Sequence, residues 1–177
     1  MKLTQLAAIA AVIAAPLAFT GCSDLIALHP FVAETEAVLD SRLNGVWFDD
    51  DEMYVIRQQD KGYTIAQSDK KTSRVYKLEA LMLKVGDAQI LDLMPAEEDA
   101  FQVPAHTPMR IWIEGATLRI AFLDSKWLIE HANAELATQK VNNRTLIISP
   151  GEQVTRFLLT YGADPRAYGT PNTLHRQ

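Results

Sequence analysis

From Val46 onward the chain is a succession of short apolar or alternating segments broken by turn residues, a rhythm that fits an antiparallel β-meander and little else. Strands are expected at 46–48, 53–58, 63–67, 74–85, 88–94, 109–114, 117–123 and 145–148. Asp60-Lys61-Gly62 puts a glycine where a three-residue hairpin calls for a left-handed residue, and Gly86-Asp87 and Gly115-Ala116 suit two-residue loops. A two-residue loop at Gly115 dictates the pairing of its strands. Ile113 faces Leu118, Ile111 faces Ile120 and Met109 faces Phe122 on one side, with Trp112 against Arg119 on the other. The Gly86 loop likewise sets Leu83 against Ile90, and on the opposite face Met82 against Leu91 and Ala80 against Leu93. Both faces of that ribbon are apolar. It must therefore lie in a sheet covered on two sides, or in one curled into a barrel and partly roofed by a helix.

The sequence supplies the roof. Ser149-Pro150-Gly151-Glu152 combines an N-cap, a proline at the first helical position and a capping-box glutamate, and Val154, Phe157, Leu158 and Tyr161 follow at helical spacing up to Gly162. Asp124 caps a shorter helix carrying Trp127, Leu128 and His131, and a last turn opens at Asp164-Pro165. The expected fold is mainly β, a single curved antiparallel meander or barrel of about eight strands with a C-terminal helix.

The amino-terminal segment has a different character. Lys2 precedes an apolar run from Leu6 to Ala18, and Phe19-Thr20-Gly21-Cys22 follows, with the only cysteine of the 177 residues. A bilayer-spanning helix needs about 20 apolar residues, whereas a secretory core needs about 7 to 15, so the run fits a cleaved signal. Phe19-Thr20-Gly21-Cys22 resembles the lipobox of bacterial lipoproteins, with phenylalanine in place of the usual leucine. The resemblance implies cleavage between Gly21 and Cys22, a diacylglyceryl group on the Cys22 sulfur and an acyl chain on its new amino terminus. Two or more chains anchor stably where one binds only marginally. Ser23, rather than an aspartate, follows Cys22, which in this family implies delivery to the periplasmic face of the outer membrane. The expected organisation is thus a signal peptide over 1–21, a lipidated tether over 22–42 with a helical turn near 35–39, and a globular domain over 43–177.

Without residues 1–21 the chain keeps 156 residues, and 16 basic against 22 acidic side chains leave a formal charge of −6. That length suits one domain with its own core. An acylated Cys22 excludes any intrachain disulfide, so packing alone must hold an exported domain together. Acidic balance without clustered lysine or arginine argues against nucleic acid and anionic headgroups as partners.

Leu43-Asn44-Gly45-Val46-Trp47 resembles the Gly-x-Trp opening of lipocalin-like barrels, which also begin after a short helical turn. Two later lipocalin signatures, Thr-Asp-Tyr between middle strands and an arginine near the last strand packing on that tryptophan, are not legible here. The chain also resembles small β-rich envelope lipoproteins with a tryptophan-led first strand. A barrel of this sequence would have an interior lined by Trp47, Tyr76, Leu78, Met82, Ile111 and Phe122, either as packed core or around a ligand.

Few residue patterns point to catalysis. Asp49-Asp50-Asp51-Glu52 lacks the alternate oxygen spacing and glycine of a calcium loop and reads as a solvated hairpin tip, as does Glu97-Glu98-Asp99 for a long loop. His29, His106, His131 and His175 show no metal-ligand spacing, and no glycine-flanked serine or phosphate loop is present. Two residues stand out. Asp92 interrupts Ile90-Leu91-Asp92-Leu93-Met94 opposite Leu81, where a buried carboxylate needs a partner, and His106 sits between Pro104 and Pro108 just before a strand. The expectation is a non-catalytic, metal-free and cofactor-free envelope lipoprotein, held on the membrane by its lipid and acting through contacts with another envelope protein. The alternative is a lipocalin-like carrier or sensor of a small hydrophobic ligand.

Overall fold

The computed structural model describes residues 25–96, 105–132, 135–142 and 144–177. In chain order these form β1 (Leu25–Ala27), β2 (Gly45–Phe48), β3 (Glu52–Gln58), β4 (Tyr63–Asp69), β5 (Arg74–Val85), β6 (Ala88–Pro95), β7 (Thr107–Glu114), β8 (Thr117–Phe122), α1 (Ser125–Ala132), β9 (Thr138–Val141), β10 (Arg144–Ile147), α2 (Gly151–Tyr161) and β11 (Asn172–Arg176). Strands β2 to β8 run as an antiparallel meander, and β11 closes it into an eight-stranded barrel between β8 and β2. Strands β1, β10 and β9 form a separate three-stranded sheet in that order.

The hairpin registers argued from turn chemistry are those of the fold. Ile111 pairs with Ile120 and Trp112 with Arg119, while Met82 pairs with Leu91 and Leu83 with Ile90. Gly86 and Gly115 both take positive φ, the backbone that these tight turns demand. Gly62 does not, contrary to the expectation of a left-handed residue there. Its reason is proximity, because a Cβ at this position would stand 2.3 Å from the backbone oxygen of Ala80 across the sheet.

Alternation along each barrel strand divides the apolar side chains into two layers. The inner set fills the barrel with Trp47, Ile56, Tyr63, Met82, Leu91, Ile111, Leu118 and Leu174, drawn from all eight strands. The outer set on β5 to β8, including Leu83, Ile90 and Ala121, is covered by Leu25 and Ile147 from the small sheet, Phe31 from the segment after β1, and Leu128 and Phe157 from the two helices. This second layer explains why the β5–β6 ribbon is apolar on both faces. Burying a large apolar side chain contributes about 1.5–3 kcal/mol, so both layers are substantial against chain entropy.

Some boundaries move from their sequence expectations. The segment expected as a tether is folded from Leu25 on. Leu25, Ala27 and Phe31 are fully buried, β1 pairs in parallel with β10, and the helical turn lies at Ser41–Leu43 under an Asp40 cap. The apolar run here is short and ends at His29-Pro30, so it shows neither the strand nor the helix period. Strand 145–148 exists as β10, but it belongs to the small sheet, and the eighth barrel strand is β11, whose single buried residue, Leu174, leaves no apolar rhythm to read. Helix α2 begins without the Ser149 cap, because the buried Ser149 hydroxyl accepts the Ala137 N–H at 2.7 Å. Asp124 does cap α1, accepting from Trp127 N at 2.8 Å.

Candidate functional site

The barrel interior is packed rather than hollowed. Trp47, Met82 and Ile111 are buried in the inner layer, and Leu78 and Phe122 pack half-buried against it. Tyr76 departs from its expected place and is 45 % exposed. It has the inward parity of β5, but β6 ends where Pro95 pairs with Leu78, so residues 74–77 project beyond the covered part of the ribbon. Gly21, Cys22 and the Glu97-Glu98-Asp99 run lie outside the described residues.

The Gly-x-Trp site holds a feature the sequence did not disclose. Arg176, on β11, pairs in register with Trp47, and its guanidinium carbon lies 4.3 Å from the centre of the ring. The same guanidinium donates to the backbone oxygen of Arg42, while Trp47 Nε1 donates to Leu43 O at 2.8 Å. First strand, last strand and helical turn are thereby fastened at one end of the barrel. Arg176 is the penultimate residue in a polar stretch, and no local signal marks it.

Across the barrel wall, Asp92 and His106 come together. Leu91 and Leu93 point into the barrel, so Asp92 between them faces the outer layer, where it is 3 % exposed. One carboxylate oxygen, Oδ2, gathers three groups: Phe31 N at 2.8 Å, Val32 N at 3.3 Å and His106 Nδ1 at 3.1 Å. A carboxylate oxygen here can only accept from a ring N–H, so the contact is made by a proton on His106 Nδ1. The His106 backbone exchanges two hydrogen bonds of 2.9 Å with Ala27. The pair therefore sews the segment after β1 to the barrel. Sequence reasoning singled out each residue but not their meeting, which depends on the β6–β7 register that sets Asp92 against Pro108.

Among the described residues Oδ1 of Asp92 has no hydrogen-bond partner. A buried acceptor left unpaired costs about 1–3 kcal/mol, and native folds rarely tolerate one without a reason. This residue also lines a cleft of about 720 Å³ on the outer side of the barrel, between the Pro30–Glu34 segment and the β3–β4 turn. Val32, Leu81 and Met94 supply apolar wall, and His106 is part of the lining. The exposed rim carries a Glu34–Lys61 ion pair of 2.8 Å, whose hydrogen bond and charge hold the Glu34 carboxyl below its ordinary value. With Asp60 and Glu79, the described lining sets four carboxylates against one lysine.

The other candidates serve the architecture. Asp49 Oδ1 accepts from the backbone of Asp51 and Glu52, and its Oδ2 accepts from Asn172 at 2.7 Å, so the acidic hairpin tip is a tied turn. His131 stacks on Trp127 with ring centres 4.1 Å apart, while His29 and His175 are exposed. Trp127 is 9 % exposed and belongs to the core, so it offers no apolar patch for a partner. Among the described residues no helix is long and apolar enough to cross a membrane.

In comparisons with known proteins, no family model, no curated protein and no solved structure matches this chain.

Proposed function

We propose that this is a lipid-anchored domain of the bacterial envelope that acts by binding rather than by catalysis, and that the cleft over Asp92 is where it binds. The anchor reading rests on Phe19-Thr20-Gly21-Cys22 and the apolar run before it, with the outer membrane as destination because Ser23 follows. The binding reading is carried by one observation, a carboxylate oxygen without a partner on Asp92, in the lining of a 720 Å³ cleft. Cavities of about 300–1,000 Å³ with apolar walls and a few convergent polar groups suit small ligands. The described lining contains no serine, threonine or cysteine beside His106.

The chemistry of the lining favours a particular ligand. Oδ1 of Asp92 is an acceptor, and the lining is acidic, so the complementary group is a donor with positive charge. A protonated primary amine on an apolar stem meets both demands, its stem lying along Val32, Leu81 and Met94. A carrier holding a hydrophobic molecule inside the barrel finds less support, because Trp47, Met82, Leu91 and Leu174 occupy that space.

Calorimetric titration of the full chain with n-hexylamine and with n-hexanol tests the reading. The amine is expected to bind about tenfold or more tightly than the alcohol, and Asp92→Asn to remove that preference. Met94→Trp, which fills the cleft while leaving Asp92 in place, is expected to block both probes. Equal affinities, or amine binding that survives Met94→Trp, would contradict it.

A further inference from the structure

The described residues begin at Leu25, only three positions beyond Cys22. Three residues span at most about 11 Å even when fully extended, which is no tether in the ordinary sense. Given the acylation of Cys22 proposed above, the surface next to Leu25 is held against the bilayer, and the register of the small sheet identifies that surface.

Leu25 pairs with Thr145 at the beginning of β10, and Thr145 pairs with Lys140 near the end of β9. Because β1 and β10 are parallel, Leu25 stands at the end of the sheet where β9 turns into β10. Two strand spacings, about 10 Å, separate it from β9. At that turn Val141 is 44 % exposed, and Lys140 and Arg144 on either side are exposed as well. Asn142, which takes φ of 55°, makes the turn.

We infer that the β9–β10 turn lies on the lipid surface to which Cys22 is attached, with Val141 among the headgroups and Lys140 and Arg144 facing lipid phosphates. An exposed apolar residue flanked by cations is what an interfacial site presents to a bilayer. The net charge of −6 gives the free domain no general attraction to anionic lipid. Tethering removes that obstacle, since only Ser23 and Asp24 separate Cys22 from Leu25, the contact is intramolecular and a weak preference then suffices. The domain accordingly sits on the membrane in one orientation instead of hanging from it.

With Cys22 acylated, a cysteine introduced elsewhere is the sole free thiol of the full chain. Val141→Cys and Val75→Cys are each labelled with an environment-sensitive fluorophore, and the lipidated proteins are reconstituted into phosphatidylethanolamine–phosphatidylglycerol vesicles containing nitroxide lipid. Val75 is the sharper control because it is 62 % exposed, more than Val141, and stands on β5 of the barrel, outside the small sheet that holds β1. Quenching at position 141 is expected to exceed that at position 75 by about threefold or more, since interfacial groups sit within 5–10 Å of the headgroup boundary. Inserting twenty glycine and serine residues between Asp24 and Leu25 is expected to abolish the difference. Equal quenching at the two positions in vesicle-bound protein would overturn the orientation while sparing the anchor. Failure of the unlabelled lipidated chain to float with vesicles would overturn both.

Discussion

Arg176 lies over the ring of Trp47 at 4.3 Å, joining the strand that closes the barrel to the strand that opens it. The guanidinium also bonds the Arg42 carbonyl oxygen, so one side chain couples both barrel edges to the helical turn at Ser41–Leu43. A cation over a ring is worth about 0.5–1 kcal/mol where exposed and about 2 where desolvated, and a hydrogen bond to a charged donor about 1.5–3 kcal/mol. Arg176→Ala is expected to lower stability by about 2–3 kcal/mol in urea denaturation, and Arg176→Lys to recover only part of it, since lysine lacks the planar face. A change under about 0.5 kcal/mol would show that β11 closes the barrel without this clamp.

Asp92 is expected to be the most sensitive polar position in the core. Its Oδ2 is the acceptor for Phe31 N and Val32 N, so Asp92→Ala orphans two backbone donors and costs about 2–5 kcal/mol. Asp92→Asn keeps an acceptor and should cost clearly less. Hydrogen exchange checks the mechanism, because the amides of Phe31 and Val32 should lose protection in the alanine variant before those of β6 do.

Truncation separates the folded boundary from the expected one. A chain starting at Leu25 should fold like the full chain, whereas one starting at Ala33 loses Leu25, Ala27, Phe31 and Val32, all at most 1 % exposed. At about 1.5–3 kcal/mol for each large side chain, that loss rivals the stability of a whole domain. The shorter chain should bind a hydrophobic dye and precipitate; a cooperative, soluble transition from it would contradict the packing assigned to this segment.

The pH profile follows from carboxylates and tyrosines at opposite ends. The hydrogen bond from Arg42 holds Asp40 well below its ordinary value, and that from Arg166 brings Asp164 down to about 2. Burial alone would raise Asp49, but hydrogen bonds from Asn172 and the Glu52 and Asp51 amides carry it below. With folded values below unfolded ones, this stability is complete above about pH 4 and is lost as pH falls toward 2 and beyond. Tyr54 and Tyr168 are shifted upward by burial, Tyr54 also by its hydrogen bond to Glu52. Their contribution is complete below about pH 10 and is lost above it, when the unfolded chain ionises first. Denaturation midpoints should fall at both ends, and Tyr54→Phe with Tyr168→Phe should flatten the alkaline side.

The sequence was most legible where turn geometry and apolar alternation act together. At Gly115 those two constraints leave one register, and Met109, Ile111 and Ile113 meet Phe122, Ile120 and Leu118 as argued. It was least legible where a strand earns its place through distant partners. β11 has one buried residue and β1 has three residues in all, so neither carries enough pattern to be read alone. The candidate site divides the same way. Asp92 announces itself by breaking an apolar run and His106 by its flanking prolines, but their 3.1 Å contact and the unpartnered Oδ1 exist only once β6 and β7 are aligned. Trp47 was evident as an anchor, whereas Arg176, 129 positions away, was not.

Placement of this domain on a membrane depends on the chemistry of Cys22. Metabolic labelling with an alkyne analogue of palmitate, followed by mass measurement of the purified chain, tests it most directly. The wild-type chain should carry the label on a polypeptide that begins at Cys22, and Cys22→Ser should carry none. An unlabelled wild type, or equal labelling of both, would remove the anchor and with it the membrane-bound role.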